Sequence, residues 1–178
     1  MHHDQIWAPW RLAYIRGDTS KQTPPEPALK LLDDANDECF LCHAVADTND
    51  RENLVIHRGK HCLTVLNRYP YNNGHLLVAP QQHQGQPDEL SDEETLELQQ
   101  TIQRMIGLMR QLLGADGFNI GLNLGRAAGA GLPGHLHWHI VPRWNGDTNF
   151  MPVMAGVDVI SQSLDALWEA LDEAIRGE

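Results

Sequence analysis

The chain has 178 residues, a formal net charge of −11 and 42% hydrophobic residues, which suits one globular domain with a sizeable core. That charge disfavours general attraction to nucleic acid or to an anionic membrane surface, and no apolar run approaches membrane-spanning length. Three cysteines and the lack of an apolar leader argue against a secreted disulfide framework and make a reducing cytoplasm the expected setting.

In chain order, IWAPWRLAYI (6–15) reads as an aromatic-rich arm, followed by a linker rich in Pro and polar residues up to about residue 35. Residues 36–178 are then expected to form a single domain. LKLLDD (29–34) is expected to form a short helical turn before the knuckle CFLC (39–42). ENLVIHR and HCLTVLNR read as two strands of a hairpin turning at Arg58, Gly59 and Lys60. NRYPYNNGH is a turn-rich bend, and HLLVAP (75–80) is the next strand.

The clearest helix starts at Ser91, where Ser91 and Glu94 make a capping-box pair, and stops at Gly114. Leu98, Ile102, Met105, Ile106, Met109, Leu112 and Leu113 recur at helical spacing and predict one apolar stripe. FNIGLNLG (118–125) alternates as a strand, and SLDALWEALDEAI (163–175) reads as a C-terminal amphipathic helix. Strands with one long helix inserted predict an α+β fold with an antiparallel sheet.

HLHWHIV (135–141) carries a histidine at every second position. In a strand, His135, His137 and His139 would share one face, with Leu136, Trp138 and Ile140 on the other. Three imidazoles on one face repel when protonated and need partners when neutral, so a site is a better explanation than a core. The preceding GRAAGAGLPG (125–134) reads as a phosphate cradle, because small residues let backbone N–H groups approach an anion. Asn123 either donates to a phosphoryl or ribose oxygen there or serves as a strand-end turn residue. A neutral imidazole can attack phosphorus and divide one displacement into two, with neighbouring imidazoles and N–H groups stabilising the oxygens. His137, flanked on both sides, is the expected nucleophile, and the chain has no GxxxxGK[ST] loop to suggest another chemistry.

HLHWHIV matches the His-x-His-x-His-x-x signature of the histidine-triad superfamily, and NRYPYNNGHLLVAPQQH (67–83) resembles that family's second signature stretch. Together the matching stretches cover about residues 36 to 145. The resemblance implies a histidine-triad fold with a five-stranded antiparallel sheet, one long helix and a C-terminal helix, usually as a homodimer. It implies nucleotidyl transfer or hydrolysis through a nucleotidylated His137, with Asn67 at the ribose and His139 supporting the nucleophile and the phosphate. His135 completes the catalytic set, and Asn123, Gly129, Ala130 and Gly131 the nucleotide contacts. The flanks IWAPWRLAYI and VPRWNGDTNFMPV resemble the bacterial branch that phosphorolyses diadenosine tetraphosphate to ATP and ADP. Hydrolytic members usually carry a Gln and a hydroxyl residue where this chain has Ala130 and Gly131, whereas several transferases have Gln where it has His139. Phosphate and water therefore both stand as acceptors, beside a third reading as a non-catalytic nucleotide-binding module. Arg143 and Asn149 are candidates to hold the extra anion, with a strand-end salt bridge the alternative for Arg143.

Cys39 and Cys42 offer half of a tetrahedral zinc site. By the same resemblance, His83 and His135 complete a structural zinc site; a redox disulfide and a plain buried pair are the competing readings. Cys62 is expected in the core, and His75 near the site in a supporting role. His2, His3, His43, His57 and His61 fall in no constellation, and Trp7, Trp10, Trp144 and Trp168 read as packing groups. Ile6, Trp7, Leu66 and Leu124 are candidates for an apolar base pocket.

Overall fold

A computed structural model describes residues 30–148 and 159–177. The N-terminal arm, with Ile6, Trp7 and Trp10, and Asn149 lie outside the described residues. Five strands form one antiparallel sheet: β1 Val55–Arg58, β2 Cys62–Leu66, β3 Leu76–Pro80, β4 Gly117–Leu122 and β5 Trp138–Arg143, ordered β1-β2-β3-β5-β4. The helices are α1 Phe40–Ala46, α2 Asp92–Leu113 and α3 Leu164–Arg176. The architecture is the expected α+β arrangement, down to the strand count.

Every residue of β2 and β3 is buried, because both faces of the sheet are covered. Cys62, Leu66, Leu76, Val78 and Ile140 pack with Leu98, Ile102, Met105 and Met109 of α2 and with Leu167, Trp168 and Leu171 of α3. The alternate residues Leu63, Val65, Leu77 and Ala79 pack with Cys39, Leu41, Cys42 and Ala44 around α1. His139 is the register partner of Leu77, and Ile140 that of Leu76. The one-residue alternation of β5 therefore sends Ile140 toward the helical layer and His139 toward the α1 side.

α2 begins as expected: the Ser91 side chain accepts from Glu94 N, and the Glu94 carboxylate accepts from Ser91 N at 2.8 Å. Its buried stripe differs slightly from the expected one. Leu108 is buried while Leu112 is exposed, since a residue four positions beyond Leu108 drifts away from the sheet as the helix ends. Of LKLLDD, Leu29 lies outside the described residues and 33–34 form a single turn closed by Ala35 N donating to Leu32 O at 3.0 Å; the helix starts at Phe40 and takes Cys42 into its first turn. β4 is shorter than expected and ends at Leu122, with Asn123 and Leu124 already in the loop. The ladder of β5 likewise begins at Trp138, so His135 and His137 precede it; Leu136 N nonetheless donates to Gln84 O at 2.7 Å.

α1 has only seven residues and is too short to hold itself together. Arg58 at the end of β1 supplies the missing partners. Its guanidinium donates to the carbonyls of Ala44, Val45 and Asp47 and to the Asp50 carboxylate. One half-buried cation thus caps the C-terminal end of α1, where the helix dipole favours positive charge.

Candidate functional site

The three histidines divide their work once the chain is folded. His135 is fully buried and points at the cysteines: its Nδ1 lies 3.3 Å from Cys39 Sγ and 3.6 Å from Cys42 Sγ, and its Nε2 donates to Pro80 O at 2.9 Å. His83 Nδ1 lies 3.3 Å from Cys42 Sγ. The donor atoms of Cys39, Cys42, His83 and His135 all fall within 4.8 Å of one another and could hold a metal ion. A tetrahedron with bonds of about 2.3 Å to sulfur and about 2.0–2.1 Å to nitrogen has sulfur–nitrogen edges of about 3.5 Å, close to the separations found. Pro80 O holds the His135 tautomer, leaving the Nδ1 lone pair on the cluster side. All three cysteines are free thiols, and burial, together with the neighbouring Cys42 thiol, pushes the Cys39 thiol up to about 11, so a cation there would have to displace its proton. Gly134 makes room for the cluster: a Cβ at that position would sit 3.1 Å from His83 Nε2.

His137 turns the other way, into a cavity of about 470 Å³. Its Nδ1 donates to the backbone carbonyl of His135 at 2.8 Å. A carbonyl only accepts, so Nδ1 carries the proton and the neutral ring keeps its lone pair on Nε2. His139 lines the same cavity with its ring centroid 5.1 Å from that of His137. Asn67, Asn123, Gly129 and Gly131, four of the residues singled out in the sequence, line the same cavity. Gly129 sits at φ +91°, a conformation open to glycine, and turns the loop beneath the cavity.

Ala130 differs. It is buried, its N–H is spent on Gly125 O at 3.2 Å, and it does not line the cavity. Arg143 makes a two-pronged ion pair with Asp147, at 2.6 and 2.7 Å, and also donates to Asn119. The strand-end alternative holds for it, and the same contact draws the Asp147 carboxyl down to about 2. Trp144 and Trp168 donate to Leu113 O and Val55 O and act as packing groups, while Cys62 is core, 3.3 Å from Thr101 Oγ1.

The walls of the cavity were not legible in the sequence. Glu38 and Phe40, on either side of Cys39, form one wall, and Tyr69, Pro70 and Tyr71 form another. The CFLC spacing drew attention to its sulfurs and away from the residues between and beside them. A second cavity of about 280 Å³ shares Phe40, Asn67 and Tyr69 with the first and adds Leu54, Val65 and Leu66. Leu66, a base-pocket candidate, lines this second cavity, whereas Leu124 is exposed and lines neither.

A split imidazole pair beside a glycine loop, on a five-stranded antiparallel sheet, defines a histidine-triad protein, and the chain belongs to the HIT domain family, whose profile matches residues 48–146. It is 37% identical over 166 residues to AP-4-A phosphorylase of Mycobacterium tuberculosis, an alignment covering 90% of this chain and 78% of that one. Adenosine 5'-monophosphoramidase of Schizosaccharomyces pombe is 26% identical over 64% of this chain and 82% of its own length. Among solved structures, a zinc-bound histidine triad family protein from Mycobacterium smegmatis superimposes with a TM-score of 0.62 at 26% identity, covering 79% of this chain and 94% of that one.

Proposed function

We propose that the protein is a nucleotidyltransferase that cleaves diadenosine tetraphosphate with inorganic phosphate, giving ATP and ADP through an adenylylated His137. The observation that carries this reading is the 2.8 Å bond from His137 Nδ1 to His135 O, which leaves Nε2 as a nucleophile beside the cavity. Nε2 attacks the α-phosphorus, a phosphorus–nitrogen bond forms, and the bond to the bridging oxygen breaks to release ATP. Phosphate then attacks the same phosphorus, the phosphorus–nitrogen bond breaks, and ADP leaves with His137 restored. The resemblance to the M. tuberculosis phosphorylase favours phosphate over water as the acceptor.

The adenylyl group is placed with its phosphate between His137, His139 and the Gly129–Gly131 loop, its ribose at Asn67 and its base in the second cavity against Phe40 and Leu66. Asn123 stands at the loop entrance on the phosphate side. Cys39, Cys42, His83 and His135 hold a structural zinc ion in this reading, supported by the donor set and by the zinc-bound relative. Such an ion ties α1 to the histidine segment and takes no part in the displacement. Residues 36–178 form the catalytic unit and residues 1–35 an arm. The protein works in the cytoplasm as a homodimer; among the described residues the edge strand β4 leaves Ile120 46% exposed, a surface a second copy can cover.

Product analysis with diadenosine tetraphosphate, with and without phosphate, tests the reading. ATP and ADP appearing only with phosphate support it. ATP and AMP formed in water would make the protein a hydrolase, and no turnover at all would leave a nucleotide-binding module. Light scattering tests the dimer.

A further inference from the structure

The bend 67–75 contributes a buried imidazole that the displacement does not use. His75 is 1% exposed, and its Nε2 lies 2.9 Å from His139 Nδ1. On its other side, the backbone N–H of Tyr71 donates to His75 Nδ1 at 3.1 Å. The Asn67 amide nitrogen lies 3.3 Å from the same atom, and Asn67 Oδ1 is occupied by Tyr69 N at 2.9 Å, which fixes the amide's orientation.

These contacts give the chain of rings one polarity. A backbone N–H can only donate, so His75 Nδ1 must accept. The neutral His75 ring then carries its proton on Nε2 and donates to His139 Nδ1. His139 must in turn carry its proton on Nε2, and that atom is shielded from solvent with no hydrogen-bond partner among the described residues. A buried donor left without a partner is costly unless a ligand satisfies it.

We propose that His75 is a positioning residue: it locks His139 in the Nε2–H tautomer, so that His139 donates a hydrogen bond to the phosphoryl group attacked by His137. The proposal rests on the reading of the cavity as a phosphoryl site. Protonating His139 would put a second hydrogen between the two rings, and His75 could accept it only by pointing its own proton at Tyr71 N–H. The geometry therefore selects a neutral donor over an imidazolium. Burial and the neighbouring imidazoles act in the same direction, holding His75 down to about 3 and His139 to about 4. Tyr71 covers the pair, its ring stacked 5.9 Å from His139 and tilted 4.7 Å from His75. A core histidine without this task would have no reason to leave its neighbour's donor unpaired beside the nucleophile.

The test is two-bond ¹H–¹⁵N correlation spectroscopy of the full zinc-loaded chain with ¹⁵N-labelled histidine at neutral pH. The expected result is a single His139 tautomer protonated at Nε2, whose N–H resonance shifts when AMP is added. A His139 protonated at Nδ1, or an Nε2–H resonance that AMP leaves unmoved, would overturn the proposal. Neither measurement needs turnover, so a protein without phosphorylase activity would refute the functional reading while the tautomer result still decided this one. In kinetics, His75→Phe should lower kcat by about 10–100-fold with KM little changed, and His75→Gln, whose amide N–H reaches a similar point, should recover most of it. Equal kcat in the wild type and His75→Phe would also overturn the assignment. If His75→Phe does not fold, the wild-type spectra decide alone.

Discussion

The carbonyl of His135 accepts the Nδ1 proton of His137 at 2.8 Å, while the ring of the same His135 belongs to the cysteine cluster. One residue thus joins two sites: its side chain faces the thiols and its backbone sets the tautomer of the nucleophile. The cluster and the cavity also share Cys39 as a hinge point, because Glu38 and Phe40 beside it line the cavity. A disturbance of the cluster has two short routes to the chemistry, one through the His135 backbone and one through the wall.

Substitution of His137 by Asn is the first expectation. The fold should persist, since Asn keeps a polar side chain of similar reach on the cavity lining, and nucleotide binding should weaken by less than about 10-fold. Turnover should fall by at least about 10³-fold, because a nucleophile that is removed cannot be replaced by positioning alone. Rapid-quench detection of an acid-labile adenylylated protein, present in the wild type and missing in the variant, checks the covalent step. Turnover by the variant within 10-fold of wild type, an order-of-magnitude threshold, would refute it.

Metal analysis of protein purified without chelators should find zinc near one equivalent per chain, and Cys42→Ser should lose it. Apoprotein should bind AMP more weakly, because Phe40 is no longer tethered through the neighbouring Cys39. The readouts are mass spectrometry for the metal and titration for AMP. AMP affinity identical with and without zinc would show that the wall stands without the cluster.

Much of this was legible in the sequence, and the reasons differ from one element to the next. α2 announced itself because its signals are local: a capping box at Ser91 and Glu94, and apolar residues at helical spacing. The strands of the sheet core were legible as short apolar runs bounded by turn residues. α1 was not, because it is held by packing on β2 and β3 and by Arg58, a residue twelve positions beyond its end, and no local pattern encodes those contacts. The histidine triad was legible as a motif but misleading as a strand: period-two spacing put all three rings on one face, whereas the ladder starts at Trp138 and His135 follows the cysteines. Ala130 lies off the cavity wall for a similar reason, since the glycine loop closes on itself through Gly125 O. The cavity walls at Glu38, Phe40 and Tyr71 come from three segments that meet only in the fold.

Arg58→Ala should destabilise the protein by about 2 kcal/mol or more, the order expected when several hydrogen bonds from one charged group are lost together. Arg58→Lys should recover little, because a single ammonium cannot reach three carbonyls and a carboxylate in one plane. Loss of the cap should fray α1 first, so amide exchange at residues 40–46 is the discriminating measurement. Uniform acceleration of exchange across β2 and β3 as well would mean that α1 has no separate unfolding step.

The buried imidazoles predict how stability depends on pH. His75 is held down to about 3 and His139 to about 4, both below the ordinary value near 6.5. Above pH 6.5 both rings are neutral whether the chain is folded or not, and their contribution to stability is complete. Below that value the unfolded chain takes up protons that the folded one refuses, so stability falls as pH drops from about 6.5 toward 4, and the loss ends near 3 when the folded state titrates too. Metal release in acid acts in the same direction, so the comparison that isolates the histidines is His75→Gln against wild type in urea unfolding at pH 7, 6 and 5. Glutamine does not titrate but keeps the hydrogen bond to His139, and the variant should lose less stability per pH unit than the wild type. Parallel slopes for the two proteins would mean that His75 takes up its proton equally in both states, contrary to its burial against Tyr71 and His139.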